Sequence, residues 1–72
     1  MNLKYDKQSD SVYIKLVQSN YSESDEINEG VILDYDEKKK IIGIEILNAS
    51  KRLSPNLFKG DLLVKSKFQL KA

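Results

Sequence analysis

The sequence predicts a mainly β protein: a small antiparallel β-meander of four to five strands, with one short helical segment after the central hairpin. Three observations carry this prediction. Apolar residues recur with period two rather than 3.6 along most of the 72 residues. The alternating runs are separated by polar turn segments, "DKQSDS" and "EKKK". After Leu47 the alternation stops and helix-capping residues take its place.

The first hairpin follows from "LKYD" and "SVYIKLV". Leu3 and Tyr5 share one face, and Val12, Ile14 and Leu16 share another of the same period. Setting Tyr5 opposite Val12 sets Leu3 opposite Ile14 and brings both apolar sets together. A slip of one residue would separate them. Tyr13 and Lys15 then point to the other side.

"QSNYSESDEINEG" is polar and acidic. Residues 22–27 read either as an edge strand anchored by Ile27, whose charges discourage unwanted pairing, or as an acidic loop.

The clearest stretch is "EGVILDYDEKKKIIGIEILNAS". Val31, Leu33 and Tyr35 face one side, while Ile32, Asp34 and Asp36 face the other. Across the turn, Ile42, Ile44 and Ile46 form one set, and Ile41, Gly43, Glu45 and Leu47 the second. Pairing Asp36 with Ile41 puts Tyr35 opposite Ile42, Leu33 opposite Ile44 and Val31 opposite Ile46, so the strongest apolar set lies on one face. It also puts Asp34 opposite Gly43 and Glu45 opposite Ile32.

Beyond the hairpin, Asn48 is an expected N-cap for a helical turn through "ASKRL". In "SPNLFKG", Ser54 suits a cap, Pro55 the first helical position and Gly60 the stop. The tail "DLLVKSKFQLKA" alternates again, with Leu62, Val64, Phe68 and Leu70 on one side and lysines on the other, as an amphipathic strand or alternatively a frayed helix. The predicted core is Leu3, Tyr5, Val12, Ile14, Leu16, Val31, Leu33, Tyr35, Ile42, Ile44 and Ile46, with Leu53, Leu57 and Phe58 packing from the helical segment. Residues 1–72 read as a single domain, with 1–53 the sheet core and 54–72 a helical turn and tail.

Composition narrows the chemistry. A chain this short builds a core that supplies only a few kcal/mol, roughly 3–5. It has no cysteine and no histidine, so disulfides, thiolate metal sites and the usual imidazole ligand or general base are excluded. Self-association is the remaining common remedy. Absence of cysteine fits the cytoplasm. The N-terminus lacks the apolar region of a signal peptide, and "GVIL" and "IIGIEIL" are too short to cross a bilayer, so no membrane association is expected. The net charge of +1 conceals a split: residues 1–37 carry three lysines against nine acids, net −6, while residues 38–72 carry eight lysines and Arg52 against Glu45 and Asp61, net +7. Such a split fits a basic face for a partner, complementary faces in an oligomer, or simple intermixing in one sheet.

Asp34, Asp36 and Glu45, with Asp6 nearby, could hold a hard cation or divide acid and base roles. Yet one-sided antiparallel sheets alternate this way routinely, and no metal or cofactor is expected. "ASK" supplies serine and lysine without the i, i+3 spacing of a Ser–Lys nucleophile motif, and the isolated Gly30, Gly43 and Gly60 form no phosphate loop. No catalytic residue is predicted, and the protein is expected not to be an enzyme. Lys38, Lys39, Lys40, Lys51 and Arg52 are nucleic-acid candidates through phosphate contacts, with Tyr13 or Tyr21 available to stack on bases. The preferred expectation is a homo-oligomer or a protein-partner surface. The second face would present Tyr13, Ile32, Asp34, Ile41, Glu45 and Leu47, more apolar area than one short helix can cover on both sides.

"YDKQSDSVYIKL", "EINEGVILDYDEKKKIIGIEILNAS" and their spacing resemble a small prokaryotic family, the domain of unknown function 2283 family. The likeness covers residues 1–53. It departs at the hairpin tip, where the family often has glycine or asparagine and this chain has "EKKK", and at Ser9, commonly a small alanine in the family. The resemblance brings no activity and no catalytic residues; it implies at most an antitoxin-type role beside toxin-like partners.

Overall fold

The computed structural model describes residues 1–58 and 68–69. The rest of the predicted amphipathic tail, the Gly60 stop and the side chain of Phe58 lie outside the described residues. Five strands form an antiparallel sheet: β1 (Asn2–Asp6), β2 (Ser11–Lys15), β3 (Tyr21–Asn28), β4 (Val31–Asp36) and β5 (Ile41–Ile46). They lie in the order β3-β4-β5-β2-β1, so consecutive strands pair as the hairpins β1–β2, β3–β4 and β4–β5, and the pairing of β5 with β2 joins them into one sheet. A two-residue strand, β6 (Phe68–Gln69), pairs with Asn2 and Leu3 on the outer side of β1. A single turn of helix, α1 (Ala49–Arg52), follows β5, and a 3-10 turn follows at Pro55–Phe58.

The first hairpin has the predicted register, with Tyr5 opposite Val12 and Leu3 opposite Ile14. The central hairpin keeps it from Val31 to Asp34, opposite Ile46 to Gly43. It departs at the tip. A bulge makes Tyr35 face Ile41 rather than Ile42, so Ile42 is the extra residue and Ile41 leaves the second-face row to which the alternation assigned it. The cause is the turn. The Asp36 carboxylate accepts the N–H groups of Lys38 and Lys40, both at 2.9 Å, and Lys39 takes a left-handed φ of 62°. Closing so tight a loop takes up one residue of the strand. The positive φ at Lys39 also accounts for the glycine or asparagine expected at such a tip, since those residues enter that region at least cost.

The acidic segment is a strand, β3, at the sheet edge, and every one of its residues is exposed. It is not anchored by Ile27. That residue sits at an irregularity between Glu26 and Asn28 and is 54 % exposed.

The core lies on one face, at one end. Leu3, Val12 and Ala49 form its buried centre, with Tyr5, Ile14, Ile46 and Leu53 packed around them. Ile42 is buried as well. The other predicted core residues, Leu16, Val31, Leu33, Tyr35 and Ile44, are half-buried, because α1 covers only the β1–β2–β5 side. Leu57 does not pack as predicted and is 37 % exposed.

Helix α1 is held by a residue far away in sequence. Asn48 takes a left-handed φ of 51° and makes no side-chain cap. Asp10, in the β1–β2 turn, supplies the cap instead. Its carbonyl accepts Ala49 N–H at 2.8 Å, and its carboxylate accepts Ser50 N–H at 3.1 Å and Ser50 Oγ–H at 2.8 Å. The Tyr5 hydroxyl donates to the same carboxylate at 2.8 Å. On the other side of α1, Arg52 lies over Gly30 in the β3–β4 turn. A Cβ at Gly30 would collide with Arg52 Nε, and its φ of 76° favours glycine besides. Ser54 caps the 3-10 turn as its sequence predicts, accepting Asn56 N–H on Oγ at 3.2 Å.

Candidate functional site: a buried carboxylate on the second face

Alternation along β2, β4 and β5 sends Tyr13, Ile32, Asp34, Gly43 and Glu45 to the face opposite α1. The registers bring them together. Tyr13 and Ile32 both lie opposite Glu45, and Asp34 lies between Gly43 on one side and Ser24 of β3 on the other. The alternation treats Asp34 as a residue of a solvated face. Its face is as predicted, but its surroundings are not: only 4 % of Asp34 is exposed, and it is the one buried charged side chain among the described residues.

Burying a carboxylate is costly unless its oxygens are hydrogen-bonded. Ser24 Oγ donates to Asp34 Oδ1 at 2.7 Å. A serine has one hydroxyl hydrogen, so the 2.8 Å contact between Tyr21 and Ser24 must have the tyrosine as donor. The resulting chain runs from Tyr21 through Ser24 to Asp34 and ties the edge strand to the sheet interior. From the other side, the Tyr13 ring reaches across Gly43: a Cβ there would stand 2.5 Å from the Tyr13 hydroxyl. The notch opposite Asp34 is therefore filled from within the chain. No buried side-chain nitrogen or oxygen among the described residues lacks a partner.

The surroundings shift two ionisable groups. Burial pushes the Tyr13 phenol up, and the charge of Asp34, a hydrogen bond to it and the charge of Glu45 add to that. Burial also pushes the Glu45 carboxyl up, followed by hydrogen bonding to Asp34 and the charge of Asp34. Asp34 and Glu45 are thus neighbouring carboxyls with the Tyr13 phenol beside them. Among the described residues no group of three or more potential ligands could hold a metal ion.

The remaining candidates divide. Leu47 is exposed at the edge of the second face, and Ile41 is exposed but displaced by the bulge. Asp36 is used by its own turn. Lys38, Lys39 and Lys40 lie before β5 while Lys51 and Arg52 lie after it, so the basic candidates sit at opposite ends of a strand about 20 Å long. Arg52 is also 3.6 Å from Glu29. These five residues form no single stripe. A depression of about 210 Å³ beside the central turn, lined by Ser19, Asn20, Asp36, Glu37 and Lys38, lies away from the carboxyl pair. The sequence singles out neither Ser24 nor Asp10, and it offers Tyr21 only as a residue to stack on bases. Only the pairing of β3 with β4, and of the first turn with α1, brings them to their partners.

The fold and this polar face define a small antiparallel sheet protein with one buried carboxylate, Asp34, and a half-buried one, Glu45, beside it. The chain belongs to the family described as "Protein of unknown function (DUF2283)", whose model matches residues 2–50. That span contains all five main strands and ends inside α1. No curated protein and no solved structure matches the chain. Among the described residues no helix is long and apolar enough to cross a membrane.

Proposed function

We propose that this protein is a non-enzymatic binding module that acts by self-association, or by holding a protein partner, through the sheet face that carries Tyr13, Ile32, Glu45 and Leu47. The observation behind this reading is how the sheet is covered. Helix α1 packs on the opposite face, while the second face offers Leu47, half-buried Tyr13 and Ile32, and a polar centre already satisfied within the chain. A face that joins apolar groups to organised polar ones suits recognition better than turnover. A catalyst would need a group free to move a proton to a substrate. Here the Asp34 carboxylate is occupied by its own neighbours, and the chain has no histidine or cysteine.

Sedimentation equilibrium across micromolar concentrations tests self-association. The expected result is a concentration-dependent mass above 8.3 kDa. A folded monomer at every concentration would remove this reading and leave only a foreign partner.

A further inference from the structure

The second face has an order that self-association alone does not require. Its middle row, read across the sheet from β1 to β3, is Lys4, Tyr13, Glu45, Ile32, Glu26. The next row is Asn2, Lys15, Gly43, Asp34, Ser24. In both rows the cation lies on the β1–β2 side of β5 and an acid on the β4–β3 side. Apart from Glu45 at the centre of the first, each row is therefore complementary to its own reversal.

We propose that two copies of this chain stack these faces about a two-fold axis running along β5, with Lys4 and Lys15 of each copy meeting Glu26 and Asp34 of the other. The inference rests on the self-association reading above and specifies its geometry. Rotation about an axis along the strands keeps each row in place and reverses it, whereas an axis across the strands would set Lys4 on Lys4 and Glu26 on Glu26. Charge complementarity thus selects both the occupant, a second copy, and the direction of the axis. Tyr13 of one copy covers Ile32 of the other. Two packed sheets sit about 10 Å apart at roughly −30°, an offset that a lysine side chain near the axis can span.

Two further observations favour this arrangement. Asp34 is buried, and among the described residues the one ion pair is Arg52 with Glu29, on another part of the molecule. Lys15 of the second copy would bring a positive charge to the row of Asp34 from outside. Glu45 stands on the axis and meets its own equivalent. The groups facing it are Asp34 from β4 and Tyr13 from β2, and burial raises its carboxyl, which lessens the repulsion between the two Glu45 side chains. The footprint, four strand spacings by six residues, is about 19 by 20 Å. That is small for a specific interface, so the affinity belongs in the micromolar range.

Charge reversal with rescue is the test. Sedimentation equilibrium is run on the wild type, Lys4→Glu, Glu26→Lys and the double variant. Each single reversal should weaken the dimer about tenfold, since two equivalent pairs become repulsive, and the double variant should return to within about threefold of wild type. Glu26 also accepts Gly30 N–H at 2.9 Å. Glu26→Gln, which keeps that acceptor and removes the charge, is therefore run beside it and should weaken the dimer less than the reversal. A dimer whose affinity is the same in all four variants as in the wild type would overturn this geometry while leaving self-association standing. A monomeric wild type would overturn both. Dimers weakened by both single reversals and weakened further in the double variant would also overturn it.

Discussion

The two ends of the sheet order are built on different terms. On the β1–β2 side, Val12 is 1 % exposed, Ala49 is fully buried and a carboxylate from a neighbouring turn caps the helix above them. On the β3 side, eight consecutive residues are exposed, and the strand is held by main-chain pairing and by one side-chain chain from Tyr21 and Ser24 into Asp34. A chain of this length cannot bury both sides. It concentrates apolar packing in one corner and leaves the other an edge protected by acids and by two irregularities in its pairing. Packing energy is therefore concentrated away from the proposed interaction surface, and on that proposal the second face can change without unfolding the first.

The strongest way to break that contrast is at the packed corner. Val12→Ala should cost about 2 kcal/mol, because a fully buried branched side chain is lost and α1 cannot collapse onto the gap. In a domain this small that is a large share of the total stability, and urea unfolding should show it as a lower midpoint with an unchanged slope.

A smaller effect, and a sharper one, comes from pH. Asp10 is held below the usual carboxylate range, first by the Ser50 hydroxyl and then by Tyr5. Its folded value is depressed, so its contribution is complete above the ordinary value and is lost as pH falls through the depressed one. Glu45 is shifted the opposite way, chiefly by burial. Its contribution is complete below the ordinary value and is lost as pH rises through the raised one. Thermal melts from acid to neutral pH should therefore lose an acid-side decline in Asp10→Asn and a neutral-side decline in Glu45→Gln. Identical pH profiles for both variants and the wild type would show that neither carboxyl is coupled to folding.

The least effect should come at the edge. Ile27→Thr is expected to change stability by less than about 0.5 kcal/mol, since Ile27 is exposed and sits at an irregularity. A loss comparable to that of Val12→Ala would mean that β3 is packed against something, and the contrast between the two sides would fall.

Much of this was legible in the residues. The period of two set the strands, and the demand that Leu3, Tyr5, Val12, Ile14, Leu33, Ile44 and Ile46 share a face set the register of both hairpins. It also assigned Asp34 and Glu45 correctly to the face away from α1. The tip register was not legible, because it depends on Asp36 gathering the N–H groups of a lysine-rich turn. The burial of Asp34 was not legible either. Alternation reports a direction, not what covers it.

By itself, then, the sequence determined the class of fold, the two hairpins, the faces and the absence of thiol or imidazole chemistry. These follow from local periodicity and composition, which need no third dimension. Tertiary structure decided which groups meet: Asp10 on the N-terminus of α1 some forty residues on, Tyr13 laid across Gly43, and Ser24 brought from the edge onto a buried carboxylate. Such contacts join segments whose partners are chosen by strand order, and strand order is a property of the assembled sheet rather than of any one stretch of chain.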